Sequence, residues 1–529
     1  MADIFDYDFS DEEEDCTSDH TISDIDDSDE SDDELSSSGS HKTGRSFVGK
    51  NGTVWSSIVP QDRESSGMFD DSKTGPAEHM RNLKSASQAF KAFLSTAIIE
   101  EVVLRTNLFG DRYFTGKKKD WKPVTTNEIW AFIGILIAAG RNHQNHMSVA
   151  TMWSSNRAWS IDFYRFGMSK NRFKDIYVVL RFDDVTTRPD RFKHSNDRLE
   201  PIRKIFDMLV QNCLHNYIAP RNLTIDERLC LFRGRCPFRV YIKSKPGRYG
   251  IKIWICSTVD GYITNLQVYT GKLGNVPERG QGMRVVKNLV EPFHGTWREV
   301  TADNLFTTTE LVDFLWENKL IYVGTMRANK PVIPPEFLAT KDREPGSSLV
   351  GYKEQKSLLS YYPKKGKKPV IMLSTKVHDA QDKREDKPEV IKFYNKTKGA
   401  VDVGDQMTRN TTVSRRSRVW SKKLFMELVD IACLNAFITF TTVNSGWKRQ
   451  SNERRSLFLQ CLAEELTVPN MRDRLETGHL STELTAEMTN FVDGCQMGQI
   501  CINCNETAET IFEPNPENDP SNNPREYGK

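Results

Sequence analysis

Leu223-Thr224-Ile225-Asp226-Glu227 marks the point where the apolar pattern of the chain changes period. Upstream, from Ser85 to about Arg221, apolar residues recur at helical spacing. Downstream, to about Thr325, they gather into short β-rich runs at 223–225, 238–242, 251–259, 263–269 and 299–302, separated by Gly, Pro and Asp. A helical run over 309–318 follows the last of these. Strands first, then strand and helix in turn, predict a mixed α/β fold: a mixed sheet flanked by helices.

Working outward, the upstream block contains a capping-box pair, Thr125 and Glu128, immediately before the apolar run 129–140. That run is bounded by Glu128 and Arg141 and is shorter than the roughly 20 residues needed to cross a bilayer, so it reads as a buried helix. Trp121, Trp130, Trp153 and Trp159 add bulk to this block, and a second helical stretch, 197–217, closes it. Past the strands, residues 330–390 turn rich in Lys, Pro, Asp and Gly, with Lys364, Lys365, Lys367 and Lys368 close together, as in an inserted, partly mobile module. The pattern over 423–442 is helical and apolar nearly all round, which predicts burial inside a larger assembly. Residues 1–84 form an acidic, Ser-rich stretch with few aliphatics, and the tail after Ile511 is rich in Asn, Pro and Glu; both compositions predict disorder. Ser23, Ser28 and Ser31 are acid-flanked and fit either phosphorylation sites or a plain solubilising tail.

A formal charge of +1 conceals a separation: residues 1–40 hold 17 Asp or Glu and no Lys or Arg. Taking those 17 from the 72 acids leaves 55 against 73 basic residues, a net of +18 over 41–529. On charge alone, a polyanion binder and a well-solvated basic surface fit equally. The N-terminus has acids where a secretory signal has basic and then apolar residues, and the ten cysteines follow no framework, so an intracellular protein without structural disulfides is expected. No membrane partner and no small-molecule substrate are expected.

Asp226 and Asp303 each follow a strand-like triplet, Leu223-Thr224-Ile225 and Val300-Thr301-Ala302, so each is expected to emerge from a sheet edge. Asp402 and Asp405 are three apart and share a face if their segment is helical. Carboxylates gathered in one site take up protons unless cations neutralise them, and hard oxygen ligands suit Mg²⁺ or Mn²⁺. Two such ions about 4 Å apart activate a nucleophile and stabilise the leaving oxygen of a phosphodiester. Asp is also a common turn-former and helix cap, and spacing alone does not separate the two roles.

The sequence around the carboxylates carries more information. Thr224-Ile225-Asp226-Glu227, Phe232-Arg233-Gly234-Arg235, Tyr241-Ile242-Lys243-Ser244-Lys245-Pro246 and Tyr249-Gly250-Ile251-Lys252 resemble, in order, the first catalytic segment of the piggyBac transposase family. Thr301-Ala302-Asp303-Asn304-Leu305-Phe306-Thr307 resembles the second, and Tyr394-Asn395-Lys396-Thr397-Lys398-Gly399-Ala400-Val401-Asp402-Val403-Gly404-Asp405-Gln406-Met407 the third. Met168-Ser169-Lys170-Asn171-Arg172-Phe173 and Leu180-Arg181-Phe182-Asp183-Asp184 resemble the helical region that precedes them, so the likeness runs from about 85 to about 460. It implies an RNase H-like catalytic domain (223–329 and 391–412) with an insertion domain (330–390). It also implies that this domain is embedded between two halves (85–222 and 413–475) of a helical dimerisation and DNA-binding domain, with a truncated tail over 476–529. Asp226, Asp303 and Asp402 would be the catalytic metal ligands, and Asp405 an accessory acid. The implied activity is cut-and-paste transposition at TTAA targets by a nuclear homodimer acting on double-stranded transposon ends and target DNA.

Two basic stretches are candidates for DNA contact. Arg233, Arg235, Arg239, Lys243, Lys245, Arg248 and Lys252 interleave with Phe232, Phe238, Tyr241 and Tyr249, a pattern suited to neutralising phosphates and stacking on bases, or to a solvated hairpin with core aromatics. Arg415, Arg416, Arg418 and Trp420 form the second stretch; its Trp matches a family position near the flipped or hairpinned DNA end, with core packing as the alternative. Cys501-x-x-Cys504 resembles the opening of the family's zinc-binding end-recognition domain, but no later Cys or His follows, and Cys495 or His479 cannot complete two sites of four ligands each. A metal-free tail is expected. The two functions that remain are an active metal-dependent DNA transposase and a domesticated, transposase-derived nuclear DNA-binding or chromatin protein; an unrelated nuclease would need three coincident motifs. Lys117–Lys119 and 364–368 are generic nuclear-import clusters.

Overall fold

The computed structural model describes residues 45–61, 67, 69–154, 161–243, 245, 247–272, 278–341, 343–376 and 387–497. Chain order begins with a hairpin, β1 (Ser46–Val48) and β2 (Val54–Ser56), and a short strand β3 (Gly75–Pro76). Helices α1 (Ala86–Phe93), α2 (Thr96–Gly116), α3 (Thr126–Arg141), α4 (Val149–Met152), α5 (Asp162–Gly167), α6 (Lys170–Val179), α7 (Arg188–Ser195) and α8 (Arg203–Asn216) follow. Next come β4 (Tyr217–Ile218), β5 (Asn222–Leu231), β6 (Arg239–Tyr241), β7 (Tyr249–Thr258), β8 (Ile263–Val268), α9 (Gln281–Val290), β9 (Glu299–Ala302), α10 (Thr309–Glu317) and β10 (Ile321–Thr325). The chain then forms α11 (Pro335–Leu338), β11 (Ser348–Lys353), β12 (Lys356–Tyr361), β13 (Val370–Ser374), α12 (Glu389–Thr397), α13 (Ala400–Arg409), α14 (Trp420–Val443), α15 (Arg454–Glu476) and α16 (Thr482–Met497).

The mixed α/β architecture expected from the change of period is present. The sheet runs β1-β2-β11-β12-β13-β10-β9-β5-β7-β6, with β8 also paired to β7. At its centre β7 is antiparallel to β5, while β9 runs parallel to β5 and β10 parallel to β9. The resulting order β8-β7-β5-β9-β10 is the RNase H-like arrangement. β5 places alternate residues on opposite faces. Leu223 and Ile225 enter a core with α9, α10 and the far strands, whereas Cys230 enters the helical core built on α1, α3, α8, α14 and α15.

Local chemistry explains the main helices. Thr125 accepts from the Glu128 backbone amide while the Glu128 carboxylate accepts from the Thr125 amide, completing the capping box, and every residue from Ile129 to Gly140 is buried. Among the described residues, α14 is the one helix with the length and apolarity of a membrane span, but most of its residues are buried against the surrounding helices. That apolarity is used inside the fold, as the all-round pattern predicts.

The Lys-rich insertion 330–390 contributes, in its described part, β11, β12 and β13, which extend the same sheet through β10. Three expectations need correction. The stretch 1–84, read as disordered, contains order from residue 45: β1 and β2 join the main sheet, and Trp55 is fully buried with its indole N–H donating to the Val332 carbonyl at 3.0 Å. A polar sequence with only a few well-placed aromatics sufficed because the rest of the sheet supplies the partner surface. The tail after 476 includes α16, which packs Met488 and Val492 on Met471 and Phe166. Finally, β5 does not end at Ile225; it continues through Asp226-Glu227-Arg228 because β7 pairs along it to Leu231.

Candidate active site

The parallel pairing of β5 with β9 stops at Ile225 opposite Ala302, and the next residue on each strand is an Asp. Asp226 is therefore part-buried in mid-strand, whereas Asp303 stands where β9 turns away. That turn is held locally: the Leu305 amide donates to Asp303 Oδ1 at 2.8 Å, and the Thr307 hydroxyl donates to the Asp303 carbonyl at 3.0 Å. Side-by-side carboxylates result from strand register, with no long-range side chain needed to assemble them.

Their electrostatics follow from that geometry. Burial, then the neighbouring Glu227 and Asp303 charges, push the Asp226 carboxyl up to about 7. The Glu227 amide, donating to Asp226 Oδ1 at 2.7 Å, and the Lys245 ammonium oppose the rise. Asp303 is also raised, by burial and by Glu227, against the pull of the Leu305 amide, Arg327 and Lys252. Tyr394, on α12, completes the pocket: burial raises its phenol, as do the charges of Asp303 and Asp226, while its bond to Thr325 lowers it.

The chain bearing Asp402 crosses the same face of β5. Thr224 Oγ1 donates to the Thr397 carbonyl at 2.8 Å, and Arg228 Nη2 donates to Thr408 Oγ1 at 2.9 Å. Thr224, Asp226 and Arg228 alternate onto one face, so the segment from Thr397 to Thr408 passes Asp226. Asp402 lies in the exposed first turn of α13. Among the described residues no three His, Cys, Asp or Glu side chains converge as a group that could hold a metal. Asp226 and Asp303 are brought together; Asp402 is brought to their face and not into contact with them.

Asp405 is engaged in an ion pair. Its carboxylate pairs with Arg228 Nε at 3.2 Å, and the same guanidinium pairs with Glu427 of α14. Asp405 thus belongs to a buried ion network that joins β5 to α13 and α14. Gly404, beside it, lets α13 approach the turn between β7 and β8: a Cβ there would lie 3.3 Å from the Gly261 carbonyl oxygen and 3.3 Å from Leu434 Cδ2.

The basic residues divide. Arg233, Arg235, Lys243 and Arg248 are exposed. Arg239 is half-buried, donates to the Arg233 and Gly234 carbonyls at 2.6 and 3.2 Å, and lies 5.3 Å from the Tyr249 ring, which makes it a brace of the hairpin. Lys245 donates to the Glu227 carbonyl at 3.4 Å and acts on Asp226 and Asp405, and Lys252 acts on Asp303, so these two face the carboxylates. In the second stretch Arg416 and Arg418 are exposed, but Arg415 is buried and bonds the Gln144 and Met147 carbonyls and Met152 Sδ. The expected DNA role of Arg415 gives way to a structural one, because a buried guanidinium needs those acceptors. Trp420 is half-buried with its ring edge on Phe238, centroids 4.9 Å apart, which favours packing.

Cys495 is half-buried on α16, where burial pushes its thiol up to about 11, as befits a packed side chain and not a thiolate ligand. Cys501 and Cys504 lie outside the described residues. The seven described cysteines are all free. The sequence reading missed Glu227, Tyr394, Arg327 and His146. The first three act on the carboxylate pair, and His146 sits with Lys423, Arg416 and Arg415. Glu227 was visible as the second acid of an adjacent pair and Tyr394 within a quoted motif; nothing in the sequence marked His146.

As a donor set, two part-buried carboxylates raised by burial and by the Glu227 charge, against the help of Lys245 and Lys252, fit a hard divalent cation, which would return both to the charged form.

Comparison with known proteins agrees with this architecture. The sequence profile of the family described as Transposase IS4 matches residues 85–437. The human PiggyBac transposable element-derived protein 3 is 24% identical over 385 residues, covering 68% of this chain and 62% of the relative. The human PiggyBac transposable element-derived protein 2 is 23% identical over 394 residues, covering 69% of this chain and 63% of that one. The chain thus spans less than two thirds of the length of these relatives. The cryo-EM structure of a piggyBac transposase synaptic complex with hairpin DNA matches with a TM-score of 0.74 at 36% identity, over 79% of this chain and 87% of that chain.

Proposed function

The chain belongs to the piggyBac transposase family, and on that premise we propose that it is a metal-dependent DNA transposase that cleaves double-stranded transposon ends and joins them to target DNA. The observation that carries the reading is the Asp226–Asp303 pair, set side by side by the register of β5 and β9 and raised chiefly by burial, with Glu227 adding to the rise. In this reading Asp226, Asp303 and Asp402 would hold Mg²⁺ or Mn²⁺. The bound ions supply Lewis-acid activation of the attacking oxygen and stabilisation of the leaving one. Lys245 and Lys252 face the scissile phosphate, and Arg233, Arg235, Lys243, Arg248, Arg416 and Arg418 track the flanking backbone. A nuclear homodimer, TTAA targets and hairpinned ends belong to the same reading; they rest on the family resemblance, and the hairpinned ends also on the hairpin DNA of the matched complex.

A second reading, a transposase-derived nuclear DNA-binding protein without transposition, is favoured by the separation of Asp402 from the pair and by the description of the curated relatives as element-derived proteins. An excision assay in cells decides between them, on a reporter flanked by the DNA that borders the gene, with Asp226→Ala, Asp303→Ala and Asp402→Ala beside the wild type. Excision by the wild type that vanishes in all three variants supports the transposase. Binding of the flanking DNA without excision supports the second reading.

A further inference from the structure

Three buried threonines meet where α12 ends on the sheet. Thr224 of β5, Thr301 of β9 and Thr397 at the end of α12 are each at most 1% exposed. Thr224 Oγ1 donates to the Thr397 carbonyl at 2.8 Å, and the Thr301 and Thr397 hydroxyl oxygens are 2.8 Å apart. Thr397 Oγ1 donates back to the Phe393 carbonyl at 3.0 Å, so it accepts from Thr301. All three hydroxyl protons are thereby used. The Thr397 carbonyl belongs to the last turn of its helix, where intrahelical donors run out, and Thr224 satisfies it.

The position of this cluster gives it a purpose beyond packing. Thr224 and Thr301 are in register across the parallel pair, and each stands two residues before an Asp of the candidate site, on that Asp's own strand face. Thr397 stands five residues before Asp402, with only Lys398 and Gly399 between it and the start of α13. Thr397 therefore ties the helix that leads to Asp402 to both strands that carry Asp226 and Asp303, to β9 through its hydroxyl and to β5 through its main-chain carbonyl. A valine of the same shape would fill the space and keep the carbonyl bond from Thr224, yet would leave the buried Thr301 hydroxyl without its acceptor and release the link from β9 to the segment ahead of α13.

We propose that Thr397 is a positioning residue: through its hydrogen bonds to Thr224 and Thr301 it fixes where α13 presents Asp402 to the Asp226–Asp303 pair. The proposal rests on the metal-dependent reading above for its consequence and on geometry alone for the clasp. The test compares the full-length wild type with Thr397→Val, Thr397→Ser and Thr301→Val, by hydrogen exchange of residues 398–409 and 129–140 and by calorimetric titration with Mn²⁺. Thr397→Val should speed exchange over 398–409 by about tenfold with 129–140 unchanged and weaken Mn²⁺ binding by about tenfold, in line with other groups that orient metal ligands. Thr397→Ser should restore both values, and Thr301→Val, which removes the same hydroxyl pair but leaves Thr397 donating to the Phe393 carbonyl, should give a change of the same sign and no larger. Thr397→Val that exchanges and binds like the wild type overturns the proposal, as does equal acceleration in both segments, or faster exchange with unchanged Mn²⁺ affinity. A wild type that binds no Mn²⁺ overturns the metal reading instead, and the exchange comparison then decides the clasp by itself.

Discussion

At the scale of single residues, burial separates side chains that look equivalent in the sequence. Arg415 and Arg418 stand three apart in one basic stretch, yet Arg415 is buried among carbonyls and Arg418 is exposed. Arg415→Ala is expected to lower stability by about 2 kcal/mol, because it strands the half-buried Gln144 and Met147 acceptors; chemical denaturation measures this. Arg418→Ala should leave the unfolding midpoint in place and reduce the salt slope of DNA binding by about one unit, read from a titration series in NaCl. Asp430 of α14 supplies a second contrast. Its oxygens accept from the Thr412 hydroxyl and the Val413 amide, and burial, with Glu427 beside it, pushes its carboxyl up to about 7. The folded state keeps this proton between the ordinary carboxyl value of 3.8 and about 7, whereas the unfolded chain has lost it, so this group's contribution to stability falls as pH rises across that window. Asp430→Asn, which keeps the Val413 bond through Oδ1 and reverses the Thr412 one so that the amide N–H donates to the hydroxyl, should melt progressively higher relative to the wild type from pH 5 to pH 8; a constant gap in a pH series of melting curves would refute the assignment.

Elements were legible wherever period and caps agreed. The run 129–140, with Thr125 and Glu128 ahead of it, became α3, and 299–302 became β9 without change of boundary. The β-rich run at 223–225 is shorter than β5, because three consecutive charged residues, Asp226-Glu227-Arg228, interrupt the apolar pattern; the strand persists because Arg228 pairs with Asp405 and Glu427 and because β7 lies along it. Helix contacts depend on details that no periodicity reports. At Gly134 a Cβ would lie 2.3 Å from Thr467 Oγ1 and 2.9 Å from the Ala463 carbonyl of α15, so α3 and α15 approach at backbone distance. Gly134→Val is expected to cost about 1–3 kcal/mol through overpacking, seen as a lower denaturation midpoint, with a smaller loss for Gly134→Ala.

At the scale of the whole molecule, segments far apart in sequence share one sheet. Trp55 comes from a stretch whose composition reads as disordered, yet it is fully buried against the far end of the sheet, with Phe337 and Gly351 nearby. Trp55→Ala should destabilise the protein by about 3–5 kcal/mol, measured by denaturant unfolding; a change within error would show that the β1–β2 hairpin is dispensable. The buried network of Arg228, Asp405, Glu427 and Asp430 joins the strand of Asp226 to α13 and α14, so strain in the helical body reaches the carboxylate face through ionic contacts.

The sequence by itself determined the mixed α/β class, the strand and helix types around the centre of the sheet, and the identity of the acids in three ordered motifs. These follow from periodicity, capping chemistry and local wording, all of which act over a few residues. Only the tertiary structure decided that Asp226 and Asp303 stand side by side while Asp402 waits at the rim, that Asp405 and Arg415 are held by buried partners, and that residues 45–56 and 482–497 are ordered. Each of those outcomes depends on surfaces supplied by chain segments distant in sequence, which set burial, desolvation and the choice of hydrogen-bond partner.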